Sequence, residues 1–279
     1  VSRDIDFLTS FTLKHLRDRW WDAAFTDFLR DAVRPQHGER VLDVGCGAGT
    51  AELILAMLQP GGARFVGIDL VPARVADAQR AARAHGVAAA LSAADAAALP
   101  FATGSFDAAF AVAVLQHVER PEDALASLAR VVRAGGRLVA VEPDTAQRSW
   151  YSEPASGHEV FALATQFFEA LEASRRERGD PALGPRLPGL LRRHGFEPLA
   201  VHLFPVAESR LGAPVARIWE QRRLAIESEA RAAGDESLAG LGRAVLRALD
   251  RYARESSAAG PAFVEIQHSM LYATVAQRA

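Results

Sequence analysis

The sequence predicts an α/β fold: a doubly wound, mostly parallel sheet of seven strands with helices on both faces and a helical cap. Three observations predict it. Strand-like and helix-like segments alternate five times between Arg40 and Glu142, the signature of a parallel sheet with right-handed crossovers. The first strand runs directly into a glycine-rich loop and then a helix. Phe106 to Val114 is nearly all apolar, as a strand buried on both faces must be.

Each element has its own signal. Residues 4 to 33 read as a helix, with Leu13, Leu16, Trp20, Ala24 and Phe28 recurring at spacings of three and four. Pro35 and Gly38 end it. Arg40 to Val44 is the first strand and Ala51 to Leu58 a helix stopped by Pro60-Gly61-Gly62. Arg64 to Ile68 is the second strand, ending at Asp69, and Pro72 to His85 a helix closed by Gly86. Val87 to Ser92 is the third strand, although its alanines have weak strand propensity. Phe106 to Val114 is the fourth, followed by a helix from Pro121 to Val132. Gly135-Gly136 turns into the fifth, Leu138 to Glu142.

After Pro143 the alternation stops. Residues 146 to 178 read as helical, Leu187 to Arg193 as a helix closed by Gly195, and Phe196 to Phe204 as a sixth strand. Ala213 to Arg254 reads as mostly helical and Ala262 to Val275 as the last strand. The expected division is a core of 36–145, 189–206 and 260–279, with a cap of 1–35, 146–188 and 207–259, all within one domain.

Composition excludes several function classes. The 279 residues, 49% hydrophobic, suffice for one sizeable core with attachments. A formal charge of −2 supplies no global field toward nucleic acid or an anionic membrane. Lys14 is the only lysine, which together with abundant alanine reflects genome composition. One cysteine, Cys46, permits neither an internal disulfide nor a cysteine-built metal site. The eight histidines lie scattered without ligand spacing, so no metal is expected. No apolar run approaches the roughly 20 residues needed to span a bilayer, and the charged N-terminal stretch lacks a signal-peptide core. A cytoplasmic protein is expected.

The strongest motif is Val41-Leu42-Asp43-Val44-Gly45-Cys46-Gly47-Ala48-Gly49-Thr50. Glycines let backbone approach a ligand closely, and the free N–H groups of the following helix face the same place. Asp69, 20 positions beyond Gly49 at the end of the second strand, can accept hydrogen bonds from ribose hydroxyls. The nicotinamide dehydrogenase fingerprint needs a further glycine where Thr50 stands.

The loop instead resembles motif I of the class I (Rossmann-like) S-adenosylmethionine-dependent methyltransferases, with Asp43 at its acidic position. The likeness continues through Asp95-Ala96, Leu99-Pro100-Phe101, Ser105-Phe106-Asp107, Val114-Leu115-Gln116-His117-Val118 and Arg130 to Leu138. A weaker likeness runs through Gly179-Asp180-Pro181 and Arg186-Leu187-Pro188 to Gly195-Phe196. The small-molecule enzymes of ubiquinone and menaquinone biosynthesis are the most similar in pattern.

The resemblance implies S-adenosylmethionine as cofactor, with S-adenosylhomocysteine as product. It places Gly45, Cys46 and Gly47 beneath the methionine part, and Asp43 at its ammonium. Asp69 falls at the ribose and Leu70 against adenine. Asp95 and Ala96 fall at the adenine amino group and a ring nitrogen, and Val112 lines the site through its backbone. Asp107 is expected to organise backbone locally. The sulfonium is already a strong methyl donor, so the enzyme needs chiefly to align the acceptor and exclude water. His117, just after the fourth strand, is the candidate base, with a structural histidine as the alternative. Trp20, Glu142, Trp150 and Tyr151 are the candidate acceptor-pocket residues.

The implied partner is a small molecule, apolar or aromatic, bound under a lid formed by the N-terminal helix, 146–188 and 207–258. A monomer or homodimer is expected. Two alternatives remain: a protein of this fold that binds the cofactor without methyl transfer, or a protein or nucleic-acid methyltransferase. Against nucleic acid, Ala111 to Gln116 lacks the prolines of adenine-N6 enzymes, Cys46 is misplaced for cytosine-C5 chemistry, and the arginine pairs read as solvated helix faces.

Overall fold

The computed structural model describes residues 20–58, 62–175, 180 and 182–279. Leu13 and Leu16 of the expected N-terminal helix lie outside the described residues, as do Gly179 and Pro181. A helix starts afresh at α1 (Ala23–Val33), because the Asp22 carboxylate accepts the Phe25 N–H at 2.8 Å and satisfies one of the donors a helix start leaves open.

The strands are β1 (Arg40–Val44), β2 (Arg64–Asp69), β3 (Ala89–Ala93), β4 (Phe106–Val112), β5 (Val132–Glu153), β6 (Phe196–Leu211) and β7 (Val264–Arg278). They form one sheet in the order β3-β2-β1-β4-β5-β7-β6. The pairs β1–β2, β1–β4, β2–β3 and β4–β5 are parallel. Between the strands run α2 (Thr50–Leu58), α3 (Pro72–Ala84), α4 (Pro121–Val131), α5 (Ser156–Arg175), α6 (Leu183–Arg193), α7 (Ala216–Ala233) and α8 (Glu236–Ala259). The strand order reverses beside β1, and ligands of open α/β sheets bind outside the carboxyl ends of the strands at such a switch point.

Several expected boundaries move. β4 stops at Val112 because Ala113 turns into the left-handed region, at φ +55°. β5 does not end at Glu142 but continues to Glu153, so the helix expected from 146 begins only at Ser156. β6 likewise continues to Leu211. The long helix expected over 213–254 is two helices. Gly234, at φ +64°, ends α7, and the Asp235 carboxylate accepts the Leu238 N–H at 2.9 Å to start α8.

The chain divides into two compact units. The core unit comprises 21–146, 178–204 and 270–279. Residues 21–35 and 178–188, expected in the cap, group with it. Phe25 and Phe28 of α1 pack on Phe204 of β6 at 5.3 and 5.0 Å between ring centroids. Leu187, Leu190 and Leu191 of α6 join the same apolar cluster as Leu42, Ala109 and Leu138 of the sheet.

The helical unit comprises 147–177 and 205–269 together with Trp20 among its described N-terminal residues. α8 buries Leu238, Val245, Leu249 and Tyr252 along one face. A Cβ on its Gly242 would stand 3.0 Å from that of Ala230, so glycine lets α7 and α8 approach closely. Inside this unit Arg222 is fully buried and donates to Glu265 at 2.6 Å, while the Tyr252 hydroxyl donates to the other oxygen of Glu265 at 3.0 Å. Burial pushes the Tyr252 phenol far up, and the Glu265 charge pushes it further.

Candidate active site

The site begins at the carboxyl end of β1. Gly45, Gly47 and Gly49 all have positive φ, at +73°, +56° and +85°, a conformation that only glycine adopts freely. Their two neighbours fare differently. A Cβ on Gly45 would fall 2.7 Å from Val114 Cγ1, whereas on Gly47 it would meet, among the described residues, nothing nearer than the Gly45 carbonyl at 4.0 Å. One side of the loop is thus closed by Val114 and the other stands open. The Cys46 N–H donates to the Ile68 carbonyl at 2.8 Å, and Gly49 N–H returns to Cys46 O at 2.8 Å. Cys46 is buried, as expected for a small packed residue.

Asp69 ends β2, nearly buried. One carboxylate oxygen accepts the Gly47 N–H at 3.0 Å and the other accepts the Val71 N–H at 2.9 Å. It fixes both the loop and the turn out of β2. Leu70 beside it is 70% exposed, an unusual place for a leucine at a strand end, and an aromatic base laid there would cover it. The Ala94 N–H reaches the Asp69 carbonyl at 3.1 Å, which brings the end of β3 alongside. Asp95 follows, exposed, with one oxygen accepting the Ala97 N–H at 2.9 Å to cap the short turn Ala96–Ala98. Ala96 is buried in the core cluster. Asp43 is buried just before the loop, and Val112 is half-buried at the end of β4.

These side chains thus gather at one edge: Asp43, Gly45, Cys46, Gly47, Asp69, Leu70 and, through the β3 turn, Asp95 and Ala96. The open flank of Gly47, the bare face of Leu70 and the acceptors on Asp69 and Asp95 fit a nucleoside joined to an amino-acid tail.

The remaining expectations divide. His117 is exposed on the short turn Leu115–His117. Glu142 follows, on β5. It is fully buried, and its carboxylate accepts the N–H groups of Val114, Leu115 and Gln116 at 2.9, 2.7 and 3.4 Å. Trp150 is buried inside the helical unit, stacked on Phe161 at 5.3 Å with the Arg222 guanidinium 5.7 Å from its ring. Tyr151 is half exposed, and its hydroxyl donates to Glu153 at 3.2 Å, which raises its pKa. Trp20 is buried.

Sequence reasoning missed the supports of Leu99-Pro100-Phe101. Ser127 Oγ accepts the Leu99 N–H at 3.0 Å, and Arg130 donates to the carbonyls of Leu99, at 2.6 Å, and Phe101. Their spacing of three on α4 was the available signal. Asp107 accepts the Arg40 N–H at 2.9 Å and Arg133 Nε at 2.8 Å. Burial alone would raise its carboxyl, but these bonds hold it below its ordinary value. Among the described residues, no three His, Cys, Asp or Glu side chains form a group that could hold a metal ion. No described helix is long and apolar enough to cross a membrane.

Residues 42–140 match the methyltransferase domain family. The chain is 33% identical over 171 residues to the demethylmenaquinone methyltransferase of Thermus thermophilus, covering 61% of this chain and 70% of that one. Across the first curated relatives it spans between 36% and 70% of their length. Among solved structures it is similar to a Bacillus halodurans protein assigned to the methyltransferases, with a TM-score of 0.58, 15% identity and coverage of 91% of this chain and 99% of that one. It is also similar to a geranyl diphosphate methyltransferase, with a TM-score of 0.54, 19% identity and coverage of 95% and 89%. Likeness at these identities is a likeness of fold.

Proposed function

The chain belongs to the Rossmann-like S-adenosylmethionine-dependent methyltransferases, and from that premise we propose that its core unit binds S-adenosylmethionine at the carboxyl edge of β1 and β2 and methylates a small molecule at oxygen, nitrogen or carbon. The observation that carries the reading is the Asp69 carboxylate tied to the Gly47 N–H, beside an exposed Leu70 and an open flank on Gly47. When bound, the cofactor supplies an electrophilic methyl group on a sulfonium. The residues of the chain bind and orient it. Asp69 faces the ribose, Leu70 lies on adenine, Asp95 accepts from the adenine amino group with Ala96 beside it, and Asp43 balances the ammonium. Gly45, Cys46 and Gly47 pass under the amino-acid tail and Val112 walls the methyl end through its backbone.

Aligning an acceptor in line with the sulfonium and keeping water away supplies most of what such a displacement needs. His117, exposed on the turn after β4, is the base we assign where the acceptor is a hydroxyl. The Thermus relative is named for demethylmenaquinone, so acceptors of that apolar, aromatic kind are the first to test.

The test is calorimetry with S-adenosylhomocysteine, followed by incubation with S-adenosylmethionine and demethylmenaquinone analogues, reading S-adenosylhomocysteine formation. Binding followed by turnover is expected. No binding at millimolar ligand would overturn the cofactor assignment; binding without turnover on any acceptor would leave a binding protein. Replacing His117 by Gln should remove the acidic limb of the pH–rate profile, where protonation disables a base, and an unchanged profile would clear it of the role.

A further inference from the structure

We infer that Glu142 is a positioning residue: it shapes the turn after β4 and, through Val114, the closed flank of the glycine loop. The inference rests on the methyltransferase reading but concerns a residue whose carboxylate is held by backbone N–H groups.

The chain of contacts is short. Glu142 sits on β5 with its carboxylate fully buried, and it collects the consecutive N–H groups of Val114, Leu115 and Gln116 at 2.9, 2.7 and 3.4 Å. Three adjacent amides converge on one carboxylate only if the backbone curls around it. The curl is made by Ala113, which is buried at φ +55° while its own N–H reaches the Val141 carbonyl at 2.7 Å. A left-handed alanine is unfavourable on its own and persists only where its surroundings hold it. Charge-assisted bonds from the next three amides are such a hold.

The turn is pinned from further directions. The Asp180 N–H donates to the Gln116 carbonyl at 2.9 Å. A Cβ on Gly184 would come within 2.7 Å of the Glu142 carbonyl oxygen, so α6 lies directly against this part of β5. The product of the curl is the place of Val114, whose methyl groups occupy the space a Cβ on Gly45 would need. β1 and β4 are neighbours in register, Val44 opposite Ala111. The loop after β1 and the turn after β4 therefore leave the sheet side by side, and Glu142 sets the distance between them.

A residue that only adds stability would lower the melting temperature and leave ligand affinity alone at temperatures where the protein is folded. A positioning residue changes affinity there as well. The experiment is S-adenosylhomocysteine calorimetry at 15 °C on the wild type, Glu142→Gln and Val114→Ala, with amide hydrogen exchange on each. Wild-type binding comes first; its absence would defeat the methyltransferase reading and not this one. Glu142→Gln keeps the shape but leaves one oxygen to accept. Its expected result is at least tenfold weaker binding, with faster exchange at Val114–Gln116 and at Gly45–Gly49. Val114→Ala keeps the turn and removes the wall, and should weaken binding at least threefold with fast exchange confined to the loop. A folded Glu142→Gln protein that binds within twofold of the wild type overturns the inference. If that variant does not fold, unchanged affinity in Val114→Ala overturns it.

Discussion

Exchanging glycine for alanine at two points of the loop should separate stability from binding. At Gly45 the added Cβ meets two obstacles. The backbone is left-handed at φ +73°, which costs an L-residue about 1–2 kcal/mol. The methyl would also overlap Val114, 2.7 Å from Cγ1 and nearer to Cγ2, and forcing extra volume into a packed place costs about 1–3 kcal/mol. Gly45→Ala should therefore lose about 2–5 kcal/mol, with each kcal/mol lowering the melting temperature by roughly 2–4 °C for a chain of this size. At Gly47 only the backbone cost applies, about 1–2 kcal/mol, because the nearest atom is 4.0 Å away. That Cβ would instead project into the open flank assigned to the ligand. Gly47→Ala should melt only roughly 2–8 °C below the wild type, less than Gly45→Ala, yet bind S-adenosylhomocysteine at least tenfold more weakly. Thermal unfolding and calorimetry on both variants make the comparison. Equal destabilisation of the two would refute Val114 as the obstacle, and full affinity in Gly47→Ala would refute the open flank as the ligand side.

Asp69→Asn keeps only one accepting oxygen for the Gly47 and Val71 N–H groups. It should lower both S-adenosylhomocysteine affinity and melting temperature, each lost bond to the charged group being worth about 1.5–3 kcal/mol; unchanged calorimetry would remove Asp69 from the site. Asp107 lies below its ordinary value when folded, so its stabilisation is present above the unfolded carboxyl's pKa of about 3.9 and fades as pH falls through the folded value. The melting-temperature gap between wild type and Asp107→Asn should be full at pH 7 and close below about pH 4, and a gap constant with pH would contradict the ion pair with Arg133. Arg222→Met leaves the buried Glu265 with Arg210, at 3.1 Å, as its remaining cation and the Tyr252 hydroxyl, and should cost up to about 3–5 kcal/mol, against a smaller loss for Tyr252→Phe; urea unfolding that ranks them in reverse would reject Arg222 as the main partner. Treatment with a chelator should leave S-adenosylhomocysteine binding and turnover intact, and activity lost and then restored by Mg²⁺ would show a metal requirement.

The alternation from β1 to the start of β5 was legible because each strand is apolar and each turn is marked by glycine or proline. The glycine loop and the acidic residue ending β2, on which the proposed site rests, were legible for the same reason: both are local. What lay beyond reach is set by neighbours. β5 runs on through Pro143 to Glu153, although nothing in the polar stretch after Pro143 favours a strand over a helix, since strand propensity depends on what a strand is packed against. Ala113 carries no mark of its left-handed backbone, because alanine is not a turn residue. The partners of Trp150, Phe161 and the buried Arg222, come from separate parts of the chain and carry no mark in the sequence around it. The break between α7 and α8 is different, since Gly234 followed by Asp235 is a readable stop and start.

Three carboxylates on the strands show where such reading meets its physical boundary. Asp43 and Asp69 stand at the carboxyl ends of β1 and β2, whereas Glu142 lies inside β5 at the place where the sequence predicts its end, and in the sequence all three suggest a ligand contact. A carboxylate at the end of a buried strand must find hydrogen-bond donors, because burying it unpaired costs several kcal/mol. The nearest are the amides of whatever loop leaves the sheet beside it. Asp69 takes them from the glycine loop and from its own turn, beside the flank of Gly47 proposed for the ligand. Glu142 takes them from the turn after the adjacent strand, β4, and is wholly enclosed. The difference lies in strand order: β1 and β2 flank the loop that must stay open, whereas β4 and β5 flank a turn that must stay closed against Gly45. On the proposed reading an acidic residue beside the open loop binds and one beside the closed turn positions, so in this architecture the role of such a carboxylate follows from which strand stands next to it.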